Sequence, residues 1–448
     1  HTSCSVQVVD VATGQVLAGF DAERSTIPAS NLKLLTTASA LAILGPDFRF
    51  ATELAYTGYL DAQGVLQGDL ILRGSGDPTL GSPEMPGTPG LEDLLEQWRL
   101  AVQRAGIRQV TGRLITDESA FATASTGTHW QWLDLGNYYG CGAFGLNLHD
   151  NLYFLHFQQA GRLGATPPVL GVTPAVPGLR FYNEVTSAEQ GSGDNTYIYG
   201  SPYNYTRYLR GTLPVGSGRF TIKGAIPDPP LFAAQQLAGA LESVGILCGR
   251  PPTTTRLLNE PLRPDQVVLH THHSPPLAEI VTQTNFESVN MYAEALLRAI
   301  GRAQAGEGSA EAGLAALRDY WTGRGLSWSG VQLYDGSGMA PRNVLTAAFL
   351  TSLLRTVYQD EHLREPFWNS LPLAGRTGTL ENAMRNTAAA GRLRAKTGSL
   401  EQVRAYSGYV PRPDGAVWAF SVMVNNYGED DGRAIRAHIY RLLERLCQ

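Results

Sequence analysis

The spacing of apolar and polar positions changes character several times along the chain. Residues 4–20 alternate between the two kinds of side chain around Thr13-Gly14, which predicts two strands joined by a turn. Residues 30–44 then take the spacing of a helix, and Gly45-Pro46 predicts where that helix ends. The sequence therefore predicts a hairpin that is followed at once by a helix.

The middle of the chain has a different texture. From residue 50 to about residue 264, short β-like runs are separated by turns, and helices are expected at 91–106 and 230–245. We interpret this region as a mostly β insertion. Helical spacing then returns in the segments 277–285, 288–301, 309–325 and 345–360. Thr346 is the expected N-cap of the last of these helices.

The chain closes with a predicted strand, turn, strand and helix, in the segments 392–400, 404–415, 416–426 and 432–446. Strands at both ends of the chain with helices between them predict one α/β domain whose sheet is assembled from both termini. We expect that catalytic domain at 1–49 and 265–448, and an insertion domain at 50–155 and 226–264 that holds a nested β subdomain at 156–225.

Composition narrows the class of protein. With 448 residues, the chain is long enough for two or three domains. A net charge of −5 without a basic run gives no sign of a nucleic-acid partner. No apolar stretch is long enough to cross a bilayer, and we expect the apolar face of the basic last helix to dock on the sheet, so that any membrane contact is at most peripheral. The sequence begins at His1 without a signal peptide. The same is expected of a mature or trimmed chain, so the missing signal peptide does not argue for the cytoplasm.

The cysteines and histidines give weaker signals. The four cysteines are too far apart for a metal or redox motif, and Cys4 and Cys447 are candidates for a disulfide that ties the two termini together. The run His270-Thr271-His272-His273 has no cysteine or acidic partner at a metal-site spacing. We therefore expect neither a metal nor another cofactor.

Three short motifs point to acyl-transfer chemistry. Ser30 and Lys33 lie one turn apart at the head of a helix, where a neutral lysine can take the proton of the serine hydroxyl. Ser288 and Asn290 stand together at another predicted helix start. Lys396-Thr397-Gly398-Ser399 lies on a predicted strand, where a cation and a hydroxyl can meet a substrate carboxylate. Each motif is common by itself, and the set in this order is far more specific.

The order Ser-x-x-Lys, Ser-x-Asn, Lys-Thr-Gly resembles that of the penicillin-recognising serine acyl transferases, which include DD-peptidases and serine β-lactamases. The long β-rich stretch after the first motif is similar to the class C low-molecular-mass penicillin-binding proteins, the D-alanyl-D-alanine carboxypeptidases and endopeptidases of the penicillin-binding protein 4 type. The segments that also resemble this family are PASNLKLLTTASAL, GDLILRGSGDPTL, YYGCGAFGLNLHDN, HHSPPLAEI, SVNMYAEALL, DGSGMAPRN and GRLRAKTGSL. The fold that this implies is a transpeptidase-like (β-lactamase-like) α/β domain, a sheet with helices on both faces, carrying one or two inserted domains.

The resemblance implies a role for each motif residue. Ser30 would be the acylated nucleophile and Lys33 its base, with Ser288 passing the proton to the departing D-alanine nitrogen. Asn290 would bind the donor peptide carbonyl, and Lys396 and Thr397 the terminal carboxylate. Gly398 would leave room for the substrate. The backbone N–H groups of Ser30 and Ser399 would together form the oxyanion hole.

The resemblance also implies partners and a location. Peptidoglycan stem peptides would be the substrate, β-lactam antibiotics would be covalent inhibitors, and the protein would act outside the cytoplasm of a bacterium, in the periplasm or at the cell surface. The acceptor that reaches the acyl-enzyme would decide between carboxypeptidase, endopeptidase and transpeptidase, and the residues leave these open. They also leave open the diamino acid of the stem peptide and the oligomeric state.

Some positions depart from the family pattern or stay secondary. Gly375-Arg376-Thr377-Gly378 mimics the third motif with an arginine, and we interpret it as a loop near the site because a hairpin follows Lys396 instead. Asp134 and Arg342 are candidates for contacts with the substrate side chain at the cleft rim.

The rival functions are a serine β-lactamase, which lacks so large an insertion, a penicillin-sensing domain that hardly turns over, and a structural protein with a dead site.

Overall fold

A computed structural model describes residues 2–258 and 260–448. The helices in chain order are α1 (Lys33–Leu44), α2 (Leu91–Arg104), α3 (Pro229–Glu242), α4 (Leu277–Phe286), α5 (Asn290–Ala305), α6 (Ala310–Thr322), α7 (Ala347–Gln359), α8 (Glu361–Asn369) and α9 (Gly432–Leu446).

The strands in chain order are β1 (Ser3–Asp10), β2 (Val16–Phe20), β3 (Ala51–Thr57), β4 (Tyr59–Leu60), β5 (Val65–Gln67), β6 (Leu70–Arg73), β7 (Gln109–Val110), β8 (Leu114–Asp117), β9 (Leu152–Gln158), β10 (Val169–Thr173), β11 (Arg180–Asn183), β12 (Thr186–Ala188), β13 (Asn195–Tyr199), β14 (Thr206–Pro214), β15 (Arg219–Ala225), β16 (Leu247–Cys248), β17 (Thr253–Thr254), β18 (Gln266–His273), β19 (Arg394–Leu400), β20 (Val403–Pro411) and β21 (Val417–Asn425).

The chain forms two compact units. The first, called the catalytic unit below, consists of residues 2–48, 127–129 and 276–448, and the second consists of 49–126 and 130–275. The strand β18 pairs with β3 in the second unit, whereas the sequence analysis placed residues 265–275 in the catalytic domain. The finer division into insertion domain and nested subdomain stays a prediction.

The sheet of the catalytic unit has the strand order β19-β20-β21-β1-β2. Its strands are antiparallel, and β1 pairs with β21 from Ser3–Asn425 to Asp10–Trp418, so the two ends of the chain meet in the middle of the sheet. The predicted assembly of the sheet from both termini is therefore confirmed.

Helices cover both faces of this sheet. On one face, α9 packs through Ile439 and Leu443 against Tyr406, Phe420 and other apolar side chains of the sheet. This confirms the expected docking of the last helix. On the other face, α7 packs against β21, β1 and β20, and Thr346 caps α7 by accepting the N–H of Phe349 as predicted.

The second unit contains several sheets around one apolar core. Their strand orders are β17-β8-β6-β3-β18, β16-β7-β5-β4, β10-β9-β15, and β11-β14-β12 with β13 also on β14. The helices α2 and α3 bury Trp98 and Phe232 in this core. The mostly β character that we expected of this stretch, with two helices, is what the structure contains.

Two features of the catalytic unit differ from the sequence analysis. The expected disulfide is wrong: Cys4 and Cys447 are both free thiols, which pack as apolar side chains in the cluster between α9 and the sheet. The sequence analysis also missed α8, because Pro366 within it masks the helical pattern. None of the described helices combines the length and the apolar character that a bilayer crossing requires.

Candidate active site

The first motif lies where a single 3₁₀ turn leads into α1. Residues Ala29–Leu32 form that turn, and Ala29 adopts a left-handed conformation with φ 46°. Just before it, the Asn425 side chain of β21 accepts the N–H of Ile27 at 2.7 Å and donates to the Ile27 carbonyl at 3.1 Å. The end of the central strand therefore fixes the backbone from which Ser30 projects.

Lys33 lies beneath Ser30 and is fully buried. Its Nζ is 2.9 Å from Ser30 Oγ, 2.6 Å from Asn290 Oδ1 and 2.8 Å from the Ser337 carbonyl oxygen. The last two oxygens accept hydrogen bonds but cannot donate them. A neutral amine has two hydrogens and one lone pair, so in that state its hydrogens go to these two oxygens and its lone pair faces the Ser30 hydroxyl.

Burial lowers the pKa of the Lys33 amine to about 7, against the opposing effects of the Asp335 and Glu294 carboxylates. The amine is therefore partly neutral near neutral pH, as a general base requires. Lys396 is buried as well, and its pKa is lowered well below the usual range by burial and by repulsion from the Lys33 ammonium.

Two buried carboxylates support the loop that provides the Ser337 carbonyl. Glu294 of α5 accepts the N–H groups of Gly336 and Ser337, each at 2.9 Å, and pairs with Arg298 at 2.9 Å. Asp335 accepts the N–H groups of Gly338 and Ala340, as well as the side-chain amide of Asn343. These contacts fix an acceptor for Lys33.

Three residues of the site were not predicted from the sequence: Asp335, Ser337 and Glu294. A signal for Glu294 exists, because it is an acidic residue within the apolar run of α5, four residues after Asn290 and thus on the same helix face. Asp335 and Ser337 lie in the segment DGSGMAPRN, which was noted only for its resemblance to the family.

The second and third motifs meet directly. Lys396 Nζ donates to Ser288 Oγ at 2.8 Å and to the Thr397 carbonyl at 2.9 Å. Ser288 lies just before α5 with φ 59°, a left-handed conformation that a non-glycine residue seldom adopts. The strained turn aims the Ser288 hydroxyl at Lys396 while Asn290, the first residue of α5, reaches Lys33.

The strand β19 forms the edge of the sheet beside the start of α1. The N–H of Ala395 donates to Pro372 on the side away from β20, and backbone alternation places the N–H groups of Thr397 and Ser399 on that same side. A Cβ on Gly398 would lie 2.6 Å from the Pro28 carbonyl oxygen and 3.1 Å from the N of Asn31. Only glycine permits so close an approach.

The Gly375–Leu380 segment is the loop that we interpreted it to be. Thr397 Oγ1 donates to Thr379 Oγ1 at 3.0 Å, which brings this loop beside the third motif. Gly378, with φ 54°, packs against the carbonyl of Phe286 at the end of α4. The segment thus borders the site, and Lys396 is the basic residue of the third motif.

The two secondary candidates lie in different units. Arg342 of the catalytic unit holds its guanidinium 5.2 Å from the ring centre of Tyr334, the residue before Asp335. Asp134 lies in the second unit, where burial raises the pKa of its carboxyl against a hydrogen bond with Tyr139. A rim contact with substrate stays a prediction for both. Within the described residues, no group of three or more histidine, cysteine or acidic side chains is arranged to hold a metal ion.

Comparison with known proteins gives the family. The profile of the D-Ala-D-Ala carboxypeptidase 3 (S13) family matches residues 1–446. The chain belongs to this family. The D-alanyl-D-alanine carboxypeptidase of Actinomadura sp. (strain R39) is 32% identical over 448 residues, which cover 94% of this chain and 77% of that protein. The predicted membership of the penicillin-binding protein 4 type and the serine-peptidase class of the enzyme are confirmed.

Two solved structures match the fold of this chain. Penicillin-binding protein 4 of Haemophilus influenzae superposes with a TM-score of 0.85 at 22% identity, covering 99% of this chain and 95% of that one. A predatory peptidoglycan endopeptidase of Bdellovibrio bacteriovorus superposes with a TM-score of 0.57 at 17% identity, covering 100% and 93%. The predicted fold class, an α/β catalytic domain with a large insertion, is therefore confirmed.

Proposed function

We propose that this S13 chain cleaves the terminal D-Ala-D-Ala bond of peptidoglycan stem peptides through an acyl-enzyme on Ser30. The observation that carries the proposal is the buried amine of Lys33, 2.9 Å from Ser30 Oγ, whose two other partners are oxygens that only accept. That arrangement leaves the lone pair of the neutral amine for the serine proton.

In the acylation step, Ser30 Oγ gives its proton to Lys33 Nζ and attacks the carbonyl carbon of the penultimate D-alanine. The oxyanion that forms is stabilised by the backbone N–H groups of Ser30 and Ser399. This assignment is supported by the free edge of β19, because the N–H of Ser399 points away from β20.

Collapse of this intermediate releases the terminal D-alanine. Its nitrogen needs a proton, and Ser288 is placed to deliver one, since its hydroxyl oxygen is bound by Lys396 Nζ at 2.8 Å and its own hydrogen is left to point to the leaving group. Ser288 regains a hydrogen from Lys33, which passes on the proton that it took from Ser30, so that the step ends with a neutral amine, a neutral hydroxyl and released D-alanine. Asn290 binds Lys33 through Oδ1, and its amide Nδ2, which donates to Met339 Sδ at 3.5 Å, is assigned to the donor carbonyl of the bound substrate.

The substrate's terminal carboxylate is assigned to Lys396 and Thr397 on the edge strand. Thr397 Oγ1 lies 3.0 Å from Thr379 Oγ1, so two hydroxyls face this point. A substrate that extends along β19 would then pass Gly398, where the lack of a side chain keeps the strand close to Ser30. Water hydrolyses the acyl-enzyme, with Lys33 again as the base, and regenerates Ser30.

The same chemistry extends to D-configured cross-links, in which the leaving amine belongs to a neighbouring stem peptide. We include this endopeptidase reaction in the proposal, and the Bdellovibrio neighbour is named as a peptidoglycan endopeptidase. β-Lactams would acylate Ser30 covalently, in keeping with the β-lactam complex of the Haemophilus protein. A substrate of this kind implies a location outside the cytoplasm, in the periplasm or at the cell surface.

The test is to incubate the protein with labelled penicillin and to locate the adduct by mass spectrometry. We expect one adduct, on Ser30, and none in Ser30→Ala. An adduct elsewhere, or none, would refute the proposal. The lifetime of the adduct separates the rival functions: release within seconds favours a β-lactamase, whereas a stable adduct without D-alanine release from a D-Ala-D-Ala peptide favours a penicillin sensor.

A further inference from the structure

A row of buried polar side chains crosses one face of the sheet in the catalytic unit. Lys396 of β19 is directly paired with Ser407 of β20, and Ser407 is directly paired with Ser421 of β21. Directly paired residues of neighbouring strands point to the same face of a sheet, so the three side chains form one row. All three are fully buried. The row therefore begins at the third motif and ends on the central strand of the sheet.

The hydroxyl groups of this row connect the sheet to the turn that carries the proposed nucleophile. Ser407 Oγ accepts a hydrogen bond from the side-chain amide of Asn31 at 2.7 Å and donates one to Ser421 Oγ at 2.9 Å. Asn31 follows Ser30 in the 3₁₀ turn and is itself fully buried. Buried polar groups cost free energy unless they are hydrogen-bonded, so this chain of hydrogen bonds is what permits the two serines in the core.

The turn is held against two neighbouring strands. Its contact with β20 is the hydrogen bond of Asn31. Its contact with β19 is close backbone packing, since a Cβ on Gly398 would lie 2.6 Å from the Pro28 carbonyl oxygen. The two strands pair along the whole length of β19, so both contacts fix the turn to one rigid ladder. The N–H of Ser30 belongs to this turn, and the N–H of Ser399 belongs to β19.

The side chain of Asn31 is not explained by stability alone. Its Oδ1 is buried and has no hydrogen-bond partner among the residues that the structure describes. A buried acceptor without a partner costs free energy, and a leucine of nearly the same shape would avoid that cost. A leucine cannot hold the turn at a fixed distance and direction from Ser407, whereas a hydrogen bond does. The asparagine is therefore better explained by where it holds the turn.

We propose that Asn31 is a positioning residue of the reaction. Through Ser407 it fixes the turn on the sheet, and so it sets the separation between the N–H groups of Ser30 and Ser399 that are assigned to the oxyanion hole. It acts through the backbone of its neighbour and not by contact with the substrate. The hydrogen bonds of Lys33 go to other residues, so the base is left unchanged. This inference rests on the proposed function, because it assumes an acyl-enzyme on Ser30.

The first test compares two serine-to-alanine variants of the full chain. Ser407→Ala removes the acceptor of the Asn31 amide. The matched control, Ser39→Ala, removes the acceptor of the Trp321 indole N–H, which donates to Ser39 Oγ at 2.8 Å further along α1. Both serines are fully buried, so both variants should lower the thermal unfolding midpoint to a similar extent. Only Ser407→Ala should slow penicillin acylation, by about tenfold in the rate constant and not in the binding constant.

The second test separates position from stability. In Asn31→Leu, Ser407 still donates to Ser421 and the unpartnered Oδ1 is gone, so the unfolding midpoint should stay near that of the wild type. Acylation should nevertheless be as slow as in Ser407→Ala, with the midpoint of its pH profile unchanged. The double variant Asn31→Leu/Ser407→Ala should be no slower than either single variant, because both remove one hydrogen bond.

The infrared band of the ester carbonyl in the acyl-enzyme gives a direct measure of the oxyanion hole. Hydrogen bonds to a carbonyl oxygen lower its stretching frequency, so a displaced Ser30 N–H should move this band to higher wavenumber in Asn31→Leu and Ser407→Ala. The band should stay in place in Ser39→Ala. A residue with only a structural role would lower the unfolding midpoint without moving the band.

Four results would overturn the inference: wild-type acylation in Asn31→Leu, equal slowing in Ser39→Ala, independent effects that multiply in the double variant, or an unmoved carbonyl band. If Asn31→Leu does not fold, the comparison of Ser407→Ala with Ser39→Ala decides alone. Labelled penicillin keeps the two proposals apart. No adduct on Ser30 of the wild type refutes the proposed function and this inference with it, whereas an adduct that forms at the wild-type rate in folded Asn31→Leu overturns only the inference.

Discussion

Buried charge is treated differently in the two units. In the second unit, Arg256 pairs with Asp228 and lies 3.5 Å from Glu118, and both carboxylates are nearly inaccessible. In the catalytic unit, Lys33 and Lys396 are just as buried, yet among the described residues no ion pair involves either of them. Their amines contact hydroxyl and carbonyl oxygens instead.

This difference separates buried charges that stabilise the fold from buried amines that can change their protonation state. A buried ion pair keeps both groups ionised, and breaking it leaves an uncompensated charge. A buried amine among neutral oxygens can lose its proton at modest cost, because neither state is strongly preferred. The catalytic unit contains both kinds, since Glu294 and Arg298 pair within hydrogen-bond distance of the loop that holds Lys33. We therefore expect acid–base function at the buried amines that have no ionic partner, and not at the ion pairs.

The largest effect should come from removing the amine of Lys33. We expect Lys33→Met to slow penicillin acylation by about a thousandfold, because the serine loses its base. The fold should persist, since an apolar side chain of similar length replaces a buried group with no ionic partner. Stopped-flow acylation and thermal unfolding measure the two quantities.

Replacing the buried cation of the second unit with methionine should lower stability and leave acylation unchanged. Arg256→Met leaves Asp228 and Glu118 without their cation, and we expect it to lower the free energy of unfolding by about 3–5 kcal/mol. The acylation rate of the protein that remains folded should stay near that of the wild type. Comparable stability losses in Lys33→Met and Arg256→Met would contradict the distinction between the two kinds of buried charge.

A smaller effect is expected from a single methyl group on the edge strand. In Gly398→Ala, the new Cβ meets the carbonyl of Pro28, so β19 must move away from the turn that holds Ser30. A displacement of about 1 Å at a reacting centre lowers the rate about a hundredfold. The matched control is Gly239→Ala in α3, where the added Cβ has nothing within 4 Å. That variant should acylate normally and be stabilised by about 0.5–1 kcal/mol.

The smallest effect is a shift along the pH axis. The acylation rate of the wild type should rise with pH through about 7, the pKa of Lys33, because only the neutral amine accepts the serine proton. The Glu294 carboxylate raises that pKa, so Glu294→Gln should move the midpoint to lower pH while its amide oxygen still accepts from the loop. A midpoint that stays in place would show that the carboxylate only supports the loop.

Much of the catalytic unit could be predicted because its signals are local. The hairpin, α1 with its stop at Gly45, the cap at Thr346 and the closing strands each depend on residues within one element. The motif residues were found for the same reason, since Ser30 and Lys33 are one turn apart. Their order along the chain then predicted a common site, which the contacts of Lys33 with Asn290 and of Lys396 with Ser288 are consistent with.

The rest depends on contacts between distant segments. The Ser337 carbonyl reaches Lys33 only after the loop has folded around Glu294 and Asp335, and carbonyl groups carry no sequence signal. The disulfide was inferred from the two ends of the chain alone, whereas pairing needs a specific distance and direction between two Cβ atoms.

The pairing of β1 with β21 has a consequence for how the enzyme is made. Ser30, the proposed nucleophile, is synthesised well before Lys396 and before its supporting strand β21. The contacts that close the site join residues far apart in the sequence, so they form late, after the intervening unit has had time to fold. A prematurely terminated chain would carry Ser30 without its strand partner or Lys396 and would be inert, which links reactivity to completed synthesis.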